Sequence, residues 1–547
     1  MTDRPVPPIA SSSLPRPGIP AAPPRLSQVT FPNPTAPAAL PRDSTLPSPA
    51  PLQLQTPGNS SPTEDLPPPS AGIRQAPVRP LVPAPAPVPP PQLVSPPVVG
   101  KPAEYRRSPF RFLPLIIGGL LVVALVAFLF TRFFGNRGAT TSRTPVKTPV
   151  AVAPVNIAYW GLWEPTKVLQ EVLADFELQN PGIKVTYQQQ TYRDYRERLQ
   201  TAVASGKGPD VFRFHASWTP MLKAELDPVP STVYSSAEFD NTFYPIAGQQ
   251  LKVNNRLVGV PLMYEGLALF YNKEALDTAN VKPPTTWSEM KATAPQLTIR
   301  TGGKIQRAGL AIGNAANVEH FSDILALLLY QNGADPEVPT SARAQDVMTF
   351  YTGFYTQERV WDESLPSSTV AFARGEVAMM FAPSWRALEV MNMNPNLAFG
   401  VAPVPQLAGN RITVASYWAE GVSAQSKKKD ASWKLLKYLT SQDALRKLHS
   451  SASKERSFGE IYSRKDMATE LAGNTYAAPF LSDAPYAQSW YLNSFTHDNG
   501  INDQIIKYYE DAVTGVATKG KAIPEAMSVV DQGIKQVLRQ YNAQKAK

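Results

Sequence analysis

No cysteine occurs among the 547 residues, which excludes disulfides, thiol catalysis, Cys-based zinc sites and a lipid-modified N-terminal cysteine. Histidine is scarce: His215, His320, His449 and His497 are the full set, and none stands in HExxH or another metal-ligand spacing. Phosphate-cradling motifs are missing too, since ASGKGPD (204–210) and TGGK (301–304) are glycine-rich but do not complete GxxxxGK[ST]. GxSxG is also absent. Nothing here assembles a nucleophile, and no cofactor or metal is implied. A glycosidase-like pair of carboxylates is the one enzyme class left open, because its spacing of about 5–10 Å is a three-dimensional property.

The net charge of +9 does not point to nucleic acid once it is divided along the chain. Residues 1–111 carry 10 basic and 5 acidic side chains, and residues 112–153 carry 4 basic and none acidic, which leaves 39 of each for the remainder. The large C-terminal part is neutral and has no electrostatic footprint for DNA or RNA. The positive charge lies in the first part, where it can meet anionic headgroups.

Charge vanishes altogether over Phe112–Phe130, FLPLIIGGLLVVALVAFLF. At about 1.5 Å per residue these 19 residues make a helix of roughly 28 Å, close to the ~30 Å hydrocarbon thickness of a bilayer. Residues 111–132 are therefore expected to form a single transmembrane helix rather than a cleaved signal, the run starting over a hundred residues from Met1. Lys101, Arg106, Arg107 and Arg111 before it balance Arg132, Arg137, Arg143 and Lys147 after it, so charge does not orient the span.

Proline divides the chain as sharply. The first 110 residues hold 32 of the 57 prolines, as in LVPAPAPVPPP (81–91). A residue without an N–H and with a fixed φ builds neither ladder nor helix, so residues 1–110 read as a disordered tail of polyproline II character. Such a tail is a solvated spacer or a ligand for cytoplasmic SH3- or WW-type grooves. Residues 133–153, rich in Thr, Pro, Gly and Arg, read as a flexible stalk.

From residue 154 the pattern is globular. Val155–Trp160 reads as a strand, Thr166–Asn180 as a helix stopped by Asn180-Pro181-Gly182, Ile183–Tyr187 as a strand, Tyr195–Ala204 as a helix and Asp210–Phe214 as a strand. This is the grammar of a parallel α/β sheet. Ala431–Leu439, Asp503–Val513 and Glu525–Tyr541 are amphipathic helices.

Six stretches in this region resemble, in order, the extracellular solute-binding proteins of ABC importers, in particular the sugar- and oligosaccharide-binding group. They are FELQNPGIKVTYQ (176–188), ASGKGPDVF (204–212), GVPLMYEGLALFYNKEAL (259–276), PPTTWSEM (283–290), FARGEVAMMFAPSW (372–385) and WAEGVSAQSKKKDASWKLLKYLTSQDA (418–444). The resemblance covers none of residues 1–153. It implies an α/β fold of two lobes, joined by a hinge and closing on a solute in the cleft between them. Lobe 1 would comprise about 154–262 and 420–465, and lobe 2 about 266–417 and 470–547, with hinge segments near Gly259–Glu265 and Ser416–Gly421.

A cleft that takes sugar needs flat aromatic faces and hydroxyl-binding carboxylates or amides. The candidates are Trp160, Trp163 and Glu164 after the first strand, and Phe214 in the loop after Pro-Asp-Val, where Ser217 stands at a position commonly acidic in the family. Tyr264 and Glu265 lie in the first hinge segment, and Trp385 matches the tryptophan that follows the family's Gly-x-x-Ala-Met strand. Trp418 and Glu420 lie in the second hinge segment, and Trp490 in a polar C-terminal loop. Asp210 is expected to brace its turn. The resemblance implies a receptor that hands a carbohydrate to ABC permease subunits, extracellular, with the tail in the cytoplasm. A membrane-tethered sensor or scaffold without transport, or the same fold on a non-sugar solute, would share all these features.

Overall fold

The computed structural model describes residues 154–541 except 408, 410 and 494. The tail, the 111–132 segment and the stalk lie outside these residues. Among the described residues no helix is long and apolar enough to cross a membrane.

The chain opens with β1 (Val155–Gly161), α1 (Thr166–Gln179), β2 (Ile183–Gln189), α2 (Tyr195–Ala204) and β3 (Val211–His215). Val168, Leu169, Val172, Leu173 and Phe176 give α1 one apolar stripe, which is buried. The helix ends where Asn180 Nδ2 donates to the Phe176 carbonyl at 2.7 Å. β1 pairs parallel with β2 from Val155↔Ile183 to Gly161↔Gln189, and with β3 at Tyr159↔Val211. A side chain at Gly161 would strike Tyr187, its hydroxyl 2.4 Å and a ring carbon 2.5 Å from where the Cβ would stand, so the packing of Tyr187 over β1 favours glycine there. Asp210 braces the start of β3 as expected: Oδ2 accepts from Ala158 N at 2.9 Å and Oδ1 from Ser426 Oγ at 2.6 Å.

β4 (Val260–Pro261) closes this sheet at one edge, and the chain then passes into a second one. There β5 (Ala268–Asn272) is flanked by β6 (Met379–Ala382) and β7 (Phe399–Ala402), both antiparallel to it. Between β5 and β6 run α3 (Trp287–Leu297), α4 (Phe321–Gln331) and α5 (Ala342–Thr356), and α6 (Trp385–Met393) separates β6 from β7. The start of α3 carries a capping box: Thr286 Oγ accepts from Glu289 N at 3.1 Å while Glu289 Oε2 accepts from Thr286 N at 3.2 Å.

β8 (Thr413–Val414) precedes the return to the first sheet as β9 (Trp418–Val422), antiparallel to both β3 and β4. The first sheet thus has the order β2-β1-β3-β9-β4. Helices α7 (Lys429–Leu439) and α8 (Gln442–Ser453) pack beside α1. A third passage follows, which the two expected hinge segments do not include. Arg464 reaches the Thr440 carbonyl in lobe 1, whereas Asp483 accepts from Val404 N and Arg411 in lobe 2. β10 (Ala487–Gln488) then pairs with β8, and α9 (Ile501–Lys519) and α10 (Ile523–Gln540) finish the second lobe, where α9 packs on α4 and α5.

Candidate functional site

In the first lobe the ends of β1 and β3 and the start of β9 come together, the carboxyl edge of the parallel strands where open α/β sheets bind ligands. Trp163 stands just past β1 and is 43% exposed. It meets Tyr192 at 5.5 Å between ring centroids and Trp418 edge-on at 5.8 Å. Trp418 is itself held edge-on by His215 at 5.2 Å and by the buried Trp218 at 5.1 Å. Burial lowers the His215 pKa to about 4. Neutral at physiological pH, it accepts at Nδ1 from Ser217 N and offers Nε2 to Ser416 Oγ at 3.0 Å. Two exposed rings, Trp163 and Tyr192, therefore rest on a fixed aromatic base.

In the second lobe Trp385 opens α6 and is 41% exposed. The Arg386 guanidinium lies 4.3 Å from its ring centroid, and His320 meets it edge-on at 6.0 Å. Arg386 is pinned by Glu319 at 3.0 Å, Glu389 at 2.6 Å and His320 Nε2 at 3.1 Å. The ring is thus backed by an immobilised cation, a favourable contact with its π face.

Glu265 connects the two sets. It is half-buried in the first hinge segment, and its carboxylate accepts from Ser384 N at 2.9 Å, Ser384 Oγ at 2.6 Å and Gly266 N at 3.0 Å. Its carbonyl accepts from Ser416 N at 3.0 Å. The path Trp385–Ser384–Glu265–Ser416–His215–Trp418 runs unbroken through the hinge, so the exposed Trp385 and the half-buried Trp418, which Trp163 meets, are coupled to one joint. Desolvation raises the Glu265 pKa to about 7, since no cation offsets it.

The sequence candidates separate into those at this edge and those in packing. Trp163, Trp385, Trp418 and Glu265 lie at the cleft or its hinge. Trp160, half-buried, donates from Nε1 to Gln188 on the edge strand β2 at 2.9 Å. Phe214 is a correction: it is fully buried, meeting Phe212 edge-on, in space left by Gly259, whose Cβ would lie 2.8 Å from its ring. Tyr264 is likewise a packing residue, buried against Tyr244 at 5.1 Å.

Glu164 and Glu420 are corrections of another kind. Both are buried ion partners of the buried Arg213, Glu420 Oε1 at 2.6 Å from its Nε, and the Tyr159 hydroxyl donates to the same oxygen at 3.1 Å. Burial alone would lower the Arg213 pKa, but the two carboxylates hold it well above the ordinary value. Burial raises that of Glu420 despite Arg213. These carboxylates hold the sheet together and do not face the cleft. Trp490 is only 8% exposed and packs on Tyr491. Missing from the candidates are Tyr192, just past the end of β2, and Phe495 and His497 on the loop before α9, all exposed rings; His497 lies 6.1 Å from Tyr192 and 4.5 Å from Phe495.

Residues 171–457, over half of the chain, match the family model of bacterial extracellular solute-binding proteins. The chain belongs to that family. A binding protein of Brucella abortus is 24% identical over 334 residues, covering 59% of this chain and 80% of its own. The multiple sugar-binding protein of Streptococcus mutans is 24% identical over 308 residues, 51% of this chain and 70% of that one. The solved structure of the sugar-binding protein MalE from Xanthomonas citri superposes with a TM-score of 0.59 at 23% identity, over 72% of this chain and 100% of that one. The two-lobed α/β fold of periplasmic binding proteins is thereby established for this solute-binding protein, which is a binder and not an enzyme.

Proposed function

We propose that this solute-binding protein captures a carbohydrate between its lobes and delivers it to the permease subunits of an ABC importer, tethered to the membrane by residues 111–132. The observation that carries the proposal is the placing of exposed, rigidly backed tryptophans, Trp163 and Trp385, on either side of one hinge. Aromatic faces of this kind stack on the C–H surfaces of sugar rings. The near-neutral charge of the domain fits an uncharged solute, and the named sugar binders among its relatives support the same class. Ligand that touches both lobes binds the closed form better and shifts the population toward it. The closed form is then the state a permease recognises. The proline density of residues 1–110 favours a second reading for that part of the chain, in which a cytoplasmic partner with an aromatic groove reads occupancy of the domain.

The test is calorimetric titration and thermal shift against a panel of mono- and oligosaccharides. A ligand at about 100 times its Kd adds roughly 2.7 kcal/mol, a rise of a few degrees in Tm. Trp385→Ala and Trp163→Ala should each weaken binding about tenfold or more, the worth of one stacked ring, while leaving the unliganded Tm within a degree or two. No shift with any saccharide, from a protein that melts cooperatively, would discard the carbohydrate assignment.

A further inference from the structure

Away from the hinge the lobes meet a second time. Arg196 on α2 of lobe 1 makes an ion pair through Nε with Asp498, and its Nη2 donates to the Asp498 carbonyl at 3.1 Å. Asp498 precedes α9 of lobe 2. The side chains are 7% and 0% exposed, so the pair is withdrawn from water.

The segment that presents Asp498 is built for the purpose. His497 and Asn499 sit at φ 52° and 55°, the left-handed region that costs a side-chain-bearing residue energy. The Asp503 carboxylate offsets this by accepting from four successive backbone N–H groups, those of Thr496, His497, Asp498 and Asn499, at 2.7–3.1 Å. Asp498 accepts in addition from Thr496 Oγ at 2.6 Å. The loop is thus rigid on its own lobe, with Thr496, Asp498 and Gly500 turned inward and Phe495, His497 and Asn499 outward. On the opposite side Arg196 is oriented by Gln200, whose Oε1 accepts from its Nη1 at 2.7 Å and whose Nε2 donates to the Met221 carbonyl at 3.0 Å. Both halves of the contact are held in place by their own lobe, and the Arg196–Asp498 bonds cross between them.

We infer that Arg196 and Asp498 form a latch that sets the open–closed equilibrium, and so act on solute affinity as positioning residues. A hinge alone leaves closure to the ligand. A preorganised ion pair at the mouth contributes to closure by protein atoms only, and apparent affinity scales with the fraction of molecules already closed. Parting the lobes returns both charges to water, so the pair biases the balance without freezing it. The latch also draws His497, which Phe495 backs on its own loop, against Tyr192, a ring contact between the lobes.

The absence of native cysteine makes the test direct. In the full chain in detergent, Leu178→Cys on lobe 1 and Val338→Cys on lobe 2, both exposed, carry spin labels for interlobe distance measurement. Without any saccharide, Arg196→Gln and Asp498→Asn should each move the distribution toward the longer, open distance, and the double variant should move it no further. Arg196→Lys, which keeps the charge but loses the second donor, should fall between. Asp498→Asn preserves the shape of the loop and guards against misfolding as the cause. Unchanged distances in the folded Asp498→Asn protein would overturn the latch. The affinity arm rests on the carbohydrate assignment: both single variants should weaken saccharide binding about tenfold, whereas equal affinity alongside lengthened distances would remove the latch's role in binding. Because the distance arm needs no solute, failure of the carbohydrate assignment cannot be confused with failure of the latch.

Discussion

Glu265 is one carboxylate with three donors and no cation, and its desolvation makes it a pH-sensitive point in the site. Its pKa stands near 7 in the folded protein against 4.5 for a free glutamate, so the native state holds the proton more tightly than the unfolded chain. Linkage then fixes the sign. The stabilisation is complete below about pH 4.5, shrinks through the interval, and is lost as pH rises past 7. Tm measured from pH 5 to pH 8 should therefore fall faster for the wild type than for Glu265→Gln, which has no proton to lose. A difference between the two that stays constant with pH would show that the carboxyl group does not titrate in that window. The functional consequence lies with Ser384, which Glu265 holds by two bonds and which immediately precedes Trp385. The same residue thus couples hinge protonation to the placement of the exposed Trp385 ring. Its sequence position in the hinge segment was legible; its bonding to a residue 119 positions away was not.

At the scale of elements, the first sheet depends on a polar knot. Arg213 on β3 lies between Glu164, past the end of β1, and Glu420 on β9, all out of water. Arg213→Met would leave two buried carboxylates without a counter-charge, and the urea midpoint should report a loss of about 3–5 kcal/mol, the usual cost of breaking a buried pair. A loss under about 1 kcal/mol would mean that water enters and solvates them. A milder case is Thr286→Ala, which removes the cap of α3 and should cost about 1 kcal/mol with no change in solute affinity. These two elements also mark what sequence can and cannot reveal. The capping box and the Asn-Pro-Gly stop of α1 are local, and their residues stand within a few positions of one another. Burial on β3 is not local: all five residues of Val211–His215 are buried, so the strand shows no alternation from which to tell Phe214 in the core from a ring in the cleft. Glu420 looked like a hydroxyl acceptor for the same reason, its partner Arg213 being 207 residues away. The exposure of Trp163 and Trp385 accords with their places after a strand end and a family motif. Tyr192 also follows a strand end, but its contact with His497, about 300 residues further along the chain, comes about only through folding.

For the whole molecule the proposed tether is the 19-residue uncharged run Phe112–Phe130, whose length as a helix would match a bilayer. The flanking charges are equal, four on each side, so under that proposal orientation would rest on the domain, which as a member of a family of extracellular solute-binding proteins would face outward. The full chain should sediment with membranes and resist alkaline carbonate extraction, while deletion of residues 111–132 should release it. Trypsin added to intact cells should cut among Arg132, Arg137, Arg143 and Lys147 and free a folded fragment that retains solute affinity, since both sheets and every cleft residue lie beyond residue 154. Residues 1–110 should remain protected until the cells are opened. Digestion of the tail with sparing of the domain would reverse the topology and with it the delivery of solute to an importer, because a receptor on the inner face has no extracellular solute to collect.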